Sequence, residues 1–223
     1  MAAVVPAGGS GVRVGRRTPK QFLLLRGVPI LTATVRHFVT HPAIEAVVVA
    51  APVGQVERAR RVLGPLARNR SLAVVAGGIT RQESVWRAMQ AVSPDVEVIV
   101  VHDAVRPFVT RRLIDAVLRA VREGGAAICA LPIAETVKRV REDLVEATLD
   151  RSGLWAVQTP QAFRAALLRE AHDKARRDGV VGTDDAMLVE RLGHPVTVVR
   201  GSEENVKITT VADLRRARTG GRR

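Results

Sequence analysis

The chain has 223 residues, of which 47% are hydrophobic, and no apolar run approaches the roughly 20 residues of a membrane helix, so a membrane-spanning role is not expected. Its net charge of +13 would suit nucleic acid, but five arginines crowd the last nine residues, aromatics are 3% and Tyr is absent. The charge is therefore read as a frayed basic tail over 219–223, and a base-stacking surface, with nucleic acid as the main partner, is not expected. A first strand is predicted at 2–5, a helix at 30–39, a strand at 46–50, a helix at 53–66 and a strand at 72–75. A helix over 81–91, a strand over 96–101, a helix over 111–122 and a strand over 126–131 continue the rhythm. Short continuous apolar strands alternating with helices predict an α/β fold with a Rossmann-like, doubly wound, mostly parallel sheet. The rhythm breaks at 135–151, where alternating residues around the turn Glu142-Asp143 predict a protruding β-hairpin arm over about 132–153. Such a hairpin is marginal alone and wants a packing partner, a second subunit being one candidate. Helices at 162–177 and 184–192, a strand at 196–199 and a helix at 211–218 complete one expected domain over 1–218.

In a doubly wound sheet, ligands bind at the carboxyl ends of strands, so the residues just after each strand are where chemistry is sought. After the first strand comes Pro6-Ala7-Gly8-Gly9-Ser10-Gly11-Val12-Arg13. Its glycines let backbone N–H groups approach a polyphosphate, and Arg13 supplies charge. On residues alone, a plain strand-to-helix turn explains the segment equally well. A dinucleotide fingerprint would need glycine at Val14 and an acidic residue where Ala51-Pro52 stand, and the P-loop lysine pattern is absent. Arginines number 31 against four lysines, so Lys20, Lys138, Lys174 and Lys207 stand out as compact charges in an arginine-rich chain. The single Cys129 allows no internal disulfide, and no secretory pattern precedes the first strand, so a cytoplasmic location is expected.

Pro6 to Arg13 followed by Pro19-Lys20-Gln21-Phe22 resembles the signature loop of nucleotidyltransferases that activate sugar phosphates. Lys20-Gln21-Phe22 narrows the resemblance to the 2-C-methyl-D-erythritol 4-phosphate cytidylyltransferases. Four later segments agree in order: Gly77-Gly78-Ile79-Thr80-Arg81-Gln82-Glu83-Ser84-Val85, His102-Asp103-Ala104-Val105-Arg106-Pro107, Asp150-Arg151 with Trp155 and 158–163, and Asn205-Val206-Lys207-Ile208-Thr209. The resemblance spans nearly the whole chain, leaving out the basic tail.

The resemblance implies that Pro6, Ala7, Gly8, Gly9, Gly11, Gly78, Ser84, Asp103 and Ala104 bind CTP, with the glycine loop on the phosphates and Gly78 and Ser84 on the base. It implies Arg13, Lys20, Arg151 and Lys207 as catalytic cations, and Arg106, Thr136, Arg151, Thr183 and Lys207 as contacts to a sugar-alcohol phosphate. Asp103 would hold Mg²⁺ or another divalent cation, and the arm would cross a homodimer interface. From the residues alone, Gly77-Gly78 also reads as a turn, Asp103 as a turn-ordering aspartate, Arg106 as a structural ion pair and Thr183 as an N-cap. His102 reads as a turn residue rather than a base. No general base is needed, because the attacking phosphate monoester, with a second pKa of about 6, is already mostly a dianion at neutral pH. Cations must instead screen the meeting of two polyanions. A related enzyme acting on ribitol 5-phosphate would share the nucleotide loop and differ at the acceptor residues.

Overall fold

The computed structural model describes residues 1–8, 18–69 and 71–219. In chain order the elements are β1 (Ala2–Pro6), the short pair β2 (Leu24–Leu25) and β3 (Val28–Pro29), α1 (Ile30–Val39), β4 (Ala46–Ala51), α2 (Val56–Leu63), β5 (Ser71–Ala76), α3 (Arg81–Gln90) and β6 (Val98–Val101). There follow α4 (Arg111–Gly124), β7 (Ala126–Pro132), β8 (Val137–Arg141), β9 (Leu144–Leu149), β10 (Trp155–Arg164), α5 (Ala165–Arg177), α6 (Asp185–Glu190), β11 (Thr197–Arg200) and α7 (Val211–Thr219).

Seven strands form the central sheet in the order β5-β4-β1-β6-β10-β7-β11. All run parallel except β10, which is antiparallel to both of its neighbours, β6 and β7. From β1 the chain winds outward through β4 and β5, then returns to lay β6 on the other side of β1. That reversal opens a crevice beyond the carboxyl ends of β1 and β6, the place where an open α/β sheet binds ligands.

The strand period of two explains the layering. Ala3 and Val5 pack with Leu31, Val35 and Phe38 of α1, Leu63 of α2 and Ile114 and Val117 of α4. Ala2 and Val4 face the opposite layer, with Val85 and Met89 of α3, Leu168 of α5 and Leu188 of α6. Burial on both faces is why β1, β4 and β6 read as continuous apolar runs. The helices begin where caps allow: the Thr80 hydroxyl accepts from the Glu83 N–H, and Thr110 from Leu113, and α4 stops at Gly125, whose φ of +79° suits a left-handed C-cap. A smaller core of Leu23, Leu25, Ile30, Val105, Ile208, Leu214 and Ala217 seats α7 and the segment before it against the start of the chain.

The α/β layering and mostly parallel sheet are as the sequence predicts, with one substantive correction. The helix expected over 162–177 begins only at Ala165, because Ala162, Phe163 and Arg164 belong to β10, which pairs with both β6 and β7. The strand is hidden from an apolar-run reading because its buried middle is polar. Thr159 and Gln161 are buried beside Pro160, and the register with β7 jumps between Gln158 and Gln161. Proline in a central strand is normally a reason to reject the assignment, and here it sits at that irregularity.

β8 and β9 pair antiparallel with each other and form a separate two-stranded sheet. Glu142 and Asp143 both have positive φ, 49° and 64°, the signature of a two-residue type I′ turn. Most of the hairpin is exposed, including Val140, Leu144 at 74% and Val145 at 63%.

Candidate active site

Asp103 stands immediately beyond β6, in the crevice at the switch point. It is only 6% exposed and three cations converge on it: Lys207 Nζ lies 2.9 Å from Oδ2, Arg81 Nε 3.2 Å from Oδ1 and Arg106 Nε 3.5 Å from Oδ2. Burial by itself would push the carboxyl up, but Arg81, Lys207 and Arg106 together hold it well below the usual carboxylate range. Asp103 is therefore an anion at any physiological pH.

Each of these cations is placed by a different element. Arg81 is the first residue of α3, and its Nη1 bonds at 2.6 Å to Oδ2 of the buried Asp185 on α6. Asp185 in turn accepts from His172 Nε2 on α5 at 2.9 Å. Burial opposes the Asp185 charge, and Arg81 and His172 more than offset it, so its pKa is lowered. Arg106 Nη1 donates to the Asn205 carbonyl at 2.7 Å, while the Ile208 N–H donates to the Val105 carbonyl at 2.9 Å. Those two bonds strap the 205–208 segment to the loop after β6, which is how Lys207, 104 residues along the chain from Asp103, comes to touch it.

The irregularity in β10 supplies the support beneath. Thr159 Oγ1 accepts from the Asp103 N–H at 3.0 Å and lies 3.1 Å from His102 Nδ1. The Arg106 carbonyl 3.0 Å from His102 Nε2 can only accept, so Nε2 carries the hydrogen of the neutral ring and Nδ1 accepts from the Thr159 hydroxyl. Burial pushes the His102 pKa down to about 4, so the ring is neutral with both nitrogens used. His102 is a structural group, in keeping with the expectation that it is not a base. Asn205 Nδ2 closes the ring of bonds by donating to the Thr159 carbonyl at 2.8 Å.

On the other side of the crevice, the end of β1 meets the loop before α3. Ser84, fully buried on α3, accepts from the Gly78 N–H at 3.1 Å and donates to the Thr80 carbonyl at 2.9 Å. A Cβ on Gly8 would come within 2.7 Å of Ser84 Oγ, and one on Gly77 within 2.9 Å. Glycine at these positions is what lets the two backbones close around one hydroxyl. Ala104 is buried beside them, its N–H directed at the Pro6 carbonyl 3.5 Å away.

Several residues singled out from sequence are thus brought together: Pro6, Ala7, Gly8, Gly78, Ser84, Asp103, Ala104, Arg106 and Lys207. Lys20 opens a short 3-10 turn whose next residue, Gln21, donates to the Ala7 carbonyl at 2.8 Å, so that turn is tied to the end of β1. Gly9, Gly11 and Arg13 lie outside the described residues. Thr136 and Arg151 sit at the two ends of the exposed hairpin, where an Arg151 guanidinium nitrogen bonds to the Ala134 carbonyl, and neither touches the Asp103 cluster. Thr183 is exposed and is not the N-cap of α6: Asp184 is, accepting from the Met187 N–H at 3.0 Å. Arg81, Thr159 and Asp185 are the members of the site that sequence reasoning gave no role. Arg81 and Thr159 fall inside quoted motifs, but only the fold shows Arg81 spanning two carboxylates that are 82 residues apart in the chain.

A sequence model of the family 2-C-methyl-D-erythritol 4-phosphate cytidylyltransferase matches residues 1–220. The protein of that name from Symbiobacterium thermophilum is 47% identical over 218 residues, covering 97% of this chain and 91% of its own length. The one from Syntrophus aciditrophicus is 44% identical over 216 residues, covering 96% and 92%. Among solved structures, 4-diphosphocytidyl-2C-methyl-D-erythritol synthase from Anaerococcus prevotii aligns with a TM-score of 0.87 at 28% identity over 100% of this chain and 98% of that one. 2-C-methyl-D-erythritol 4-phosphate cytidylyltransferase from Thermus thermophilus aligns with a TM-score of 0.82 at 36% identity, covering 98% and 97%.

The chain belongs to the 2-C-methyl-D-erythritol 4-phosphate cytidylyltransferase family.

Arg81, Arg106 and Lys207 outnumber Asp103 and Asp185 by three to two, leaving positive charge in a partly desolvated cleft where it acts more strongly than in water. Lys207 is the most accessible of the three, its side chain 40% exposed.

Proposed function

We propose that this cytidylyltransferase transfers CMP from CTP to 2-C-methyl-D-erythritol 4-phosphate, giving 4-diphosphocytidyl-2-C-methyl-D-erythritol and pyrophosphate in isoprenoid precursor biosynthesis by the non-mevalonate route. The observation that carries the residue assignments is the convergence of Lys207, Arg106 and Arg81 on Asp103 at the switch point, next to the close approach of Gly8 and Gly77 to Ser84.

The acceptor's phosphate oxygen attacks the α-phosphorus of CTP. As that O–P bond forms, the bond from the α-phosphorus to the bridging oxygen of the β-phosphate breaks, and its electron pair leaves with pyrophosphate. The nucleophile is already ionised, so the protein supplies position and positive charge rather than a base. Lys207 and Arg106 receive the acceptor phosphate. Lys20, with Arg13 of the glycine loop, screens the CTP phosphates and the departing pyrophosphate. The role of Gly8, Gly9 and Gly11 in this reading is to bind the CTP phosphates, and that of Gly78 and Ser84 is to contact the base.

Asp103 suits a divalent cation of the magnesium kind: it is ionised, and a carboxylate has about four lone-pair sites, more than the three faced by Arg81, Arg106 and Lys207. Among the described residues no cluster of three or more metal-ligating side chains is present, which fits an ion held mostly by substrate phosphates and water. When bound, such an ion neutralises phosphate charge.

Thr136 and Arg151 reach an acceptor only across a homodimer, with the hairpin of one subunit laid over the crevice of the other. The exposed Val140, Leu144 and Val145 on that hairpin support this reading. The test is pyrophosphate release from CTP with 2-C-methyl-D-erythritol 4-phosphate, and with ribitol 5-phosphate as the competing acceptor. Release with the first alone is expected. Release only with ribitol 5-phosphate would sink the acceptor assignment, and release with neither would sink the activity.

A further inference from the structure

The loop between β5 and α3 is held in a way that its own sequence does not require. Three consecutive residues, Gly77, Gly78 and Ile79, each have a backbone polar group taken by a different side chain of α3. The Gly77 carbonyl accepts from Arg87 Nη1 at 2.9 Å, the Gly78 N–H donates to Ser84 Oγ at 3.1 Å, and the Ile79 N–H donates to Glu83 Oε2 at 2.8 Å. Arg87 and Glu83 are themselves joined, Nη2 to Oε1 at 2.6 Å. Ile79 is 97% exposed, so nothing packs on it from outside to fix this backbone. A Cβ on Gly78 would fall 2.3 Å from the Glu83 side chain, so the carboxylate lies directly against the loop.

With those three groups occupied, the Gly78 carbonyl is the polar group of the Gly77-Gly78 peptides left without a short bond. Ser84 Oγ is 3.5 Å from it, and it lies 3.6 Å from where a Cβ on Gly8 would stand, so it faces Gly8 just beyond the end of β1. We infer that the Glu83–Arg87 pair is a specificity-determining positioning device, which fixes the Gly77–Ile79 backbone so that the loop presents a set pattern of acceptor and hydroxyl to the nucleotide base. The inference rests on the reading that Gly78 and Ser84 face the base. Glu83 and Arg87 touch no substrate in it; they act through the loop.

The physical reason the pair matters is that a hydrogen-bond pattern discriminates between cytosine and uracil only if it cannot reorient. Cytosine offers an exocyclic amino donor and an unprotonated ring nitrogen where uracil offers a carbonyl and an N–H. A free peptide can rotate to suit either. The peptide that carries the Gly78 carbonyl cannot, because its own N–H, that of Ile79, is held by Glu83 and the peptide before it is held by Arg87 and Ser84, and a base with the wrong edge then leaves a polar group unpaired.

The experiment measures kcat and KM for CTP and for UTP with wild type, Glu83→Ala, Arg87→Ala and the conservative Arg87→Lys. Lys174→Ala, which removes another i,i+4 pair with Asp178 on α5, serves as a control. In both alanine variants KM for CTP is expected to rise about tenfold, the factor for one ordinary hydrogen bond, with kcat within threefold, and the CTP over UTP preference to fall about tenfold. Arg87→Lys is expected to recover at least part of that preference, and Lys174→Ala to keep all of it. A preference within twofold of wild type in both alanine variants overturns the inference, as does an equal loss for the two nucleotides. If an alanine variant does not fold, Glu83→Gln and Arg87→Met, which keep side-chain bulk and remove the ion pair, carry the same comparison under the same criteria. Wild type is assayed first: if it shows no CTP turnover the proposed function fails, whereas normal wild-type turnover with unchanged variant preference defeats this inference alone.

Discussion

The crevice around Asp103 and the β8–β9 hairpin hold their polar residues in opposite ways. In the crevice Asp103, His102, Thr159 and Asn205 are all buried, and each has partners on other elements. On the hairpin Thr136 and Arg151 are exposed, and the cross-strand bond from Lys138 Nζ to Thr148 Oγ1, 2.6 Å, lies within the hairpin itself. A network closed within one subunit fixes charges whether or not substrate is present. A two-stranded ribbon with apolar residues facing outward gains its rigidity from whatever it lies against. On the proposed reading, the crevice works with the groups of one chain, and the hairpin adds Thr136 and Arg151 only in an assembly.

The sharpest way to break the comparison is at Lys207. Lys207→Ala is expected to lower kcat/KM for the acceptor by a hundredfold or more, as for loss of a charge that stabilises a transition state, with CTP binding by calorimetry changed much less. A loss of under fivefold would remove Lys207 from the chemistry. On the hairpin, Leu144→Asp is expected to shift the sedimentation profile from dimer to monomer at micromolar concentration and to lower activity about tenfold, activity returning as protein concentration rises. An unaltered sedimentation profile, or activity that does not depend on concentration, would detach the hairpin from assembly.

The crevice should also carry a pH signature that the hairpin does not. Because the His102 pKa is lowered to about 4 in the fold, the unfolded chain binds a proton between about pH 6.5 and 4 that the folded chain refuses. Stability is full above that window and falls as pH drops through it, by an amount on the order of 2–3 kcal/mol. Urea midpoints from pH 7 to 4 should show this slope, and His102→Gln should flatten it; an unchanged slope would mean that another group sets the acid limb. The smallest effect is expected at the basic tail, where deleting 219–223 should leave turnover within twofold, and a tenfold loss would give those arginines a role.

Much of the fold was legible in the sequence because it follows from hydrophobic period and turn chemistry. Val4, Val48 and Val100 sit in apolar runs that can only be buried strands, and Glu142-Asp143 marks its turn. β10 was not legible, since its central residues are polar and are satisfied by partners that arrive from other parts of the chain. The site divides in the same way. Glycines, Asp103 and Lys207 could be named because motifs place them, but the roles of Arg81 and Thr159 depend on distances in space. Arg81 bridges Asp103 and Asp185, and Thr159 bonds to both the Asp103 N–H and the His102 ring. No spacing rule relates residues that meet only after the sheet has formed.

β10 leaves the hairpin at Trp155 and delivers Thr159 to the crevice four residues later, a run of about 14 Å in extended backbone. Side chains alternate along such a run, so adding or removing one residue between them would turn Thr159 to the opposite face of the sheet, away from His102. Insertions and deletions are therefore expected to be filtered very unevenly along this part of the chain. Between 137 and 149 the ribbon can grow or shrink by pairs of residues, whereas the count from 155 to 159 is fixed.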